Sequence, residues 1–400
     1  MARSSAALNN LRVCAIVSLL AFHSVLAYLD YLPATAFAFD QPPYRWVAFP
    51  IVDSERFLGF DIFCGFQDVY LMSLMFFLSG VFVWPSILRK GEAAFLQSRF
   101  LRLCIPAGLA VLVLMPLAHY ATYRVSAIDP GVAAYLSHWL ALPFWPSGPP
   151  WFLWQLFFFN LAAAALCSLK PLWCRRLARL ASTAGTDPQR YFWRLVALSA
   201  LAYVPLALGF GPLRWVEYGI FSFQVSRPLH YAVYFFAGFG IGVYGVERGL
   251  LAGDGALAQR WAAWLTSAAL AFVLWMGLTA LALQPGAIAA TRIAAYLAFA
   301  LSCASSCFAF FALFLRFAAR RTPLFDTAGE NAYGLYLVHY VFVVWLQYAL
   351  LDAALPALAK GCIVFAGVLA LSWATTSALR RAPLAWRLIG TEPRALAKAR

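Results

Sequence analysis

Apolar residues along this chain run on rather than alternate. Stretches of about 20 mostly apolar residues, enough for a helix to cross roughly 30 Å of hydrocarbon, recur near 11–29, 61–84, 103–123, 150–169, 193–211, 230–246, 261–282, 292–315, 333–351 and 359–379. Barrel strands would alternate between two faces, whereas an isolated helix satisfies its own backbone in lipid. The pattern predicts an all-α, polytopic membrane protein of about ten transmembrane helices, with residues 1–400 forming one membrane domain. The polar connections are short. The longest on one side are 30–60 and 124–149, rich in aromatic residues and proline; on the other side, the Arg-rich 170–194 reads as an interfacial helix.

Composition agrees: 64% of residues are hydrophobic, 12% are charged and the mean hydropathy is +0.76, far from the averages of a soluble chain. A net charge of +14 could suggest nucleic acid, but the placement of the basic residues excludes that reading. With ten spans and a starting residue in the cytoplasm, most of the 30 Lys and Arg fall on one side, the asymmetry of the positive-inside rule. Both termini are therefore expected in the cytoplasm, with a short basic tail at about 381–400 and lipid headgroups as partners of many of these charges. The first apolar run follows Arg3 and Arg12 much as a signal peptide would, but its length and its polar residues favour a retained span. The 8 cysteines lie in or beside spans without metal-ligand spacing, so they read as small packing residues and no metal is expected.

An ionisable group inside a span is costly unless it is paired or faces water. His23 follows Arg12 by eleven residues, which places it about 16 Å deeper along the helix axis. Neutral imidazole is cheap to bury and suited to taking a proton from a hydroxyl, though a lone intramembrane His can equally be a helix–helix hydrogen-bond partner. Asp68 in the second span reaches a comparable depth, so it could orient His23; an ion pair with an arginine is the alternative. Arg99 and Arg102 share a helical face at the basic end of the third span, suited to phosphates or simply to anchoring. Asn331, Tyr333, Tyr336 and His339 enter the ninth span behind Gly329, either as helix-to-helix hydrogen bonds or as cavity groups.

Four segments then line up in order: Leu11-Arg12 to Phe22-His23; Phe76-Phe77-Leu78-Ser79-Gly80 with Arg99-Phe100-Leu101-Arg102 and Pro106; Trp151-Phe152-Leu153; and Tyr333-Gly334-Leu335-Tyr336-Leu337-Val338-His339. Together they resemble the Arg-x10-His, FFxSG and RxxR, WFL and YxxYLxH motifs of the acyltransferase-3 family of integral membrane O-acyltransferases. The resemblance implies helices around a cavity in a bacterial inner membrane and no tightly bound cofactor. It implies acyl-coenzyme A as co-substrate from the cytoplasm, acetyl first and succinyl second, and an extracytoplasmic glycan or glycolipid as acceptor. It also implies that His23 is catalytic, directly or through an acyl-imidazole, and that Arg12, Arg99 and Arg102 hold the donor, with Trp151, Tyr336 and His339 in the cavity. Many members carry an acidic residue three before the arginine, where this chain has Asn9. A secondary transporter or flippase would share the buried His, Asp and Arg, but would be expected to show broken helices at matching places in two halves. The acceptor hydroxyl and the oligomeric state are not written in the sequence.

Overall fold

The computed structural model describes residues 3–33, 35–127 and 129–382; the expected basic tail from 383 onward lies outside the described residues. The chain forms α1 (Arg3–Val25), α2 (Leu58–Val81), α3 (Val83–Lys90), α4 (Glu92–Arg99), α5 (Ile105–Leu109), α6 (Met115–Ser126), α7 (Val132–Ala141) and α8 (Trp151–Leu169). It continues with α9 (Pro171–Ser182), α10 (Pro188–Phe210), a hairpin of β1 (Trp215–Tyr218) and β2 (Phe221–Gln224), α11 (Pro228–Tyr244), α12 (Ala256–Gln259), α13 (Trp261–Ala282), α14 (Ala289–Phe317), α15 (Pro323–Ala349) and α16 (Ala357–Arg381).

The structure is 75% helical, and the antiparallel hairpin, turning at Gly219 with φ +58°, is the exception to the all-α reading. Among the described residues, 8 helices are long and apolar enough to cross a membrane. The two other expected spans fold as α11, only 17 residues long, and as α15, which opens with the polar turns around Asp326 and Glu330. The third span is longer than expected: α4 to α6 run almost unbroken through π-helical turns at Phe100–Cys104 and Ala110–Leu114. Segment 124–149, expected as a connection, contains α7.

Polar contacts sort the helix ends into two faces. On the basic face, Ser4 bonds Glu247, Asn10 donates to the carbonyls of Ala318 and Arg320, Ser168 bonds Glu92, and Arg380 pairs with Glu330. On the opposite face, the backbone N–H of Asp30 donates to Asp61, Arg56 donates to the carbonyls of Ala27 and Pro33, and Trp145 donates to Gly219. Two apolar clusters fill the interior. One is built around α6, α8, α15 and α16, the other around α2, α10, α11 and α14, and α1 contributes to both. Its centre is therefore shielded on several sides.

Lipid tails are as apolar as leucine, so close helix packing relies on small residues. A Cβ on Gly80 would lie 2.1 Å from the Phe235 carbonyl oxygen, and one on Gly238 would lie 2.1 Å from that of Phe77. The glycine that ends Phe76-Phe77-Leu78-Ser79-Gly80 thus lets α2 and α11 touch backbone to backbone. Replacing Gly238 by Leu should separate these helices and lower the unfolding temperature in detergent, with a loss exceeding that of Gly277→Leu, where nothing lies within 4 Å.

The connection 26–57 is pinned rather than loose. Trp46, one of the aromatic residues of this segment, is 1% exposed; it stacks on Phe39 at 4.3 Å and donates to that residue's carbonyl. The backbone N–H of Asp53 donates to the Ala27 carbonyl, and its carboxylate takes both oxygens to Lys360 Nζ at 2.8 and 3.0 Å. The two side chains are 0% and 1% exposed, so this ion pair fastens the connection to the start of α16. Removing one partner strands a buried charge, a loss of about 3–5 kcal/mol, whereas replacing both with apolar residues is far milder. Lys360→Met should therefore destabilise the protein strongly in thermal unfolding, and Lys360→Met combined with Asp53→Leu should recover most of the loss.

Candidate functional site

The site is organised along one face of α1, where Arg12, Ala15, Leu19 and His23 recur at helical spacing. Its far end is held by α15. Gln347 Nε2 donates to the carbonyls of His23 and Ser24 at 3.0 and 3.1 Å, two of the last carbonyls that a helix leaves without partners. That clamp fixes the backbone beneath the imidazole.

The His23 ring meets a second imidazole. His339 Nε2 lies 3.1 Å from His23 Nδ1, with ring centroids 5.0 Å apart. His339 Nδ1 lies 2.7 Å from the Tyr336 carbonyl oxygen. A carbonyl only accepts, so His339 Nδ1 carries the proton and its neutral ring offers Nε2 as an acceptor. His23 must then donate through Nδ1, which leaves His23 Nε2 with a free lone pair. His339 is fully buried, while His23 is partly open. Tyr340 packs edge-on against His23, and Tyr336 is fixed by a hydrogen bond from its hydroxyl to the Pro149 carbonyl. Trp151, just beyond that proline turn, stacks on Tyr231 and meets Trp215 of the hairpin.

At the other end, Arg12 is exposed and donates to Asn9 Oδ1 at 3.2 Å. Asn9 therefore occupies the place expected for a carboxylate, and it packs on Gly329 of α15, where a Cβ would come within 3.0 Å of the amide. Arg99 lies over the Phe95 ring at 5.1 Å, and Arg89, Arg99 and Arg102 all stand within electrostatic reach of Lys90. Proline explains part of this arrangement. Pro106 has no N–H to give the carbonyl four residues earlier, so the Arg102 carbonyl is free, and the Tyr333 hydroxyl donates to it at 2.5 Å. Tyr333 thereby ties α15 to the π-helical turn that carries Arg102. Asn331, also on α15, accepts from Arg380 and donates to the Thr327 carbonyl, so it braces α15 against α16 on the basic face.

The expected pairing of Asp68 with His23 does not form. Asp68 Oδ2 accepts from Arg227 Nη2 at 2.7 Å, the arginine being 2% exposed and lying over the Phe299 ring. Depth alone placed Asp68 near His23, but the face of α2 that carries it turns toward the start of α11. Arg227 and Lys360, among the minority of basic residues away from the basic face, are both buried in ion pairs. The signal was present in their neighbours: Arg227 directly precedes Pro228 at a helix start, and Lys360 opens an apolar run. A third buried polar group, His230, bonds Ser73 and Ser199 at 3.1 and 2.9 Å, with Cys303 Sγ 3.6 Å away. It joins α2, α10, α11 and α14 in the cluster opposite the His23 pair.

The family model described as an acyltransferase domain matches residues 5–377, nearly the whole of the chain. Comparison with curated proteins and with solved structures gives no match. Arg12, the glycine-terminated α2 segment, the Arg99 and Arg102 pair, Trp151 and His339 all lie within the matched span, and the chain belongs to the acyltransferase-3 family as a multi-pass membrane acyltransferase.

Proposed function

We propose that the protein transfers an acyl group from acyl-coenzyme A, bound from the cytoplasmic face of a bacterial inner membrane, to a hydroxyl of an extracytoplasmic glycan or glycolipid. The observation that carries this reading is the histidine pair, whose hydrogen bonds leave His23 Nε2 as the open base, above a cationic end on the same helix. Arg12, Arg99 and Arg102 supply guanidinium donors suited to the phosphates of the donor. His23 Nε2 takes the proton of the acceptor hydroxyl as its oxygen attacks the thioester carbonyl. The C–S bond then breaks, and the departing thiolate recovers the proton from His23. His339 receives the His23 Nδ1 proton in its hydrogen bond and so holds the ring in the productive tautomer, the part that a carboxylate plays in a catalytic triad.

Acyl transfer by membranes containing His23→Ala should fall by roughly 10²–10⁴-fold while the protein remains folded and inserted; retained transfer overturns the assignment. His339→Leu should lower kcat by roughly 10²-fold, and His339→Gln, whose amide oxygen can still accept from His23, should recover part of that loss and shift the pH profile. Replacing Arg99 and Arg102 together by Ala should raise the donor KM by about 10-fold or more, since each charged hydrogen bond contributes roughly 1.5–3 kcal/mol, with the acceptor KM unchanged in the same assay.

A further inference from the structure

Where α13 begins and α14 ends, on the basic face, lies a cavity of about 290 Å³. Gly253, Asp254 and Gln259 line it from the segment before α13, and Arg316, Phe317 and Arg320 line it from the end of α14. None of its lining residues belongs to the site described above. Among the described residues, neither Arg316 nor Arg320 forms an ion pair. With Asp254 as the one acid of the lining, the cavity carries net positive charge. Asn10 donates to the carbonyls of Ala318 and Arg320, so the segment that brings Arg320 to the cavity is tied to α1, and an occupant that fixes this segment stabilises the bundle.

We infer that this cavity seats the head group of an anionic phospholipid, its phosphate on the two arginines and a head-group hydroxyl on the Asp254 carboxylate. Guanidinium matches phosphate geometry, a carboxylate accepts from hydroxyls, and a head group of single negative charge balances the lining. The surroundings place the cavity at the bilayer surface. With 29 residues, α14 is roughly 43 Å long and outruns roughly 30 Å of hydrocarbon, so its last turn stands among head groups. Trp261 meets Phe317 edge-on with ring centroids 5.1 Å apart, an aromatic pair of the kind that marks a membrane interface. From there α13 leads away with Leu265, Leu270, Val273 and Leu274 exposed, an apolar flank for the tails of a lipid held by its head. The volume is just below the roughly 300–1,000 Å³ typical of pockets for larger ligands, room for a glycerol phosphate rather than a coenzyme. Basic pockets beside transmembrane helices hold lipid head groups in this way.

The full chain in detergent, stripped of lipid, is titrated with short-chain phosphatidylglycerol, short-chain phosphatidylethanolamine and glycerol phosphate, and the half-saturating concentration is read from thermal protection. Phosphatidylglycerol should act at a concentration about 10-fold or more below that of phosphatidylethanolamine, which has the same tails but no net charge, and below that of glycerol phosphate, which has the charge but no tails. Arg316→Gln combined with Arg320→Gln should erase the preference for phosphatidylglycerol, whereas Arg175→Gln combined with Arg176→Gln, on the Arg-rich α9, should leave it intact. Ala319→Glu, which adds a carboxylate to the lining, should also erase it and provides the test if the double arginine variant fails to fold. Equal protection by the two lipids overturns the inference, and so does an equal loss of preference in the α9 variant. Glycerol phosphate acting as well as the lipid assigns the cavity to soluble phosphate esters and overturns the lipid assignment.

Discussion

A neutral imidazole in an apolar bundle has one proton to give and one lone pair to offer, and each must be used or left facing open space. At the contact of His23 with His339 that constraint fixes a direction. The Tyr336 carbonyl takes one proton, His339 passes its lone pair to His23, and the unused lone pair emerges at His23 Nε2. Everything that shapes the site serves this order. Gln347 holds the end of α1, Pro149 holds Tyr336, and α15 supplies the carbonyl, the second imidazole and the clamp from residues along about three turns. If α15 rotated about its axis, the whole relay would be lost, which is why its other bonds, from Tyr333 to the Arg102 carbonyl and from Asn331 to Arg380, bear on the chemistry although they lie far from it.

The two deeply buried cations follow a different logic. Lys360 and Arg227 each neutralise an aspartate on a neighbouring element, and each lies at the start of a helix on the face opposite the basic one. Such pairs gain little net stability over apolar packing, but they penalise alternative registers severely. One fixes the connection 26–57 over the end of α1, the other fixes α11 against α2. Both therefore set the position of helices packed against α1 and α2.

How much of this was legible in the sequence depended on whether a feature belonged to one helix or to the fit of two. Arg12 and His23 stand on the same helix, so spacing alone gave their separation and their shared face. Gly80 and Pro106 were visible as motif residues, yet their roles, a backbone contact with α11 and a carbonyl freed for Tyr333, need the partner helix in place. Depth placed Asp68 level with His23, but depth says nothing about which way a side chain turns around its helix axis. For the same reason His339 could be read as a polar group of the ninth span without its ring partner being apparent. Trp46 illustrates the converse: an aromatic residue in an outer connection usually anchors to an interface, but here the connection folds into its own aromatic core and buries the indole.

Asn9 sharpens the picture of the basic end. A carboxylate three residues before Arg12 would neutralise the guanidinium within its own helix, whereas the Asn9 amide orients it through a hydrogen bond and leaves its charge intact. With Arg89, Arg99 and Arg102 also close to Lys90, this end carries clustered positive charge, a field that draws in phosphates.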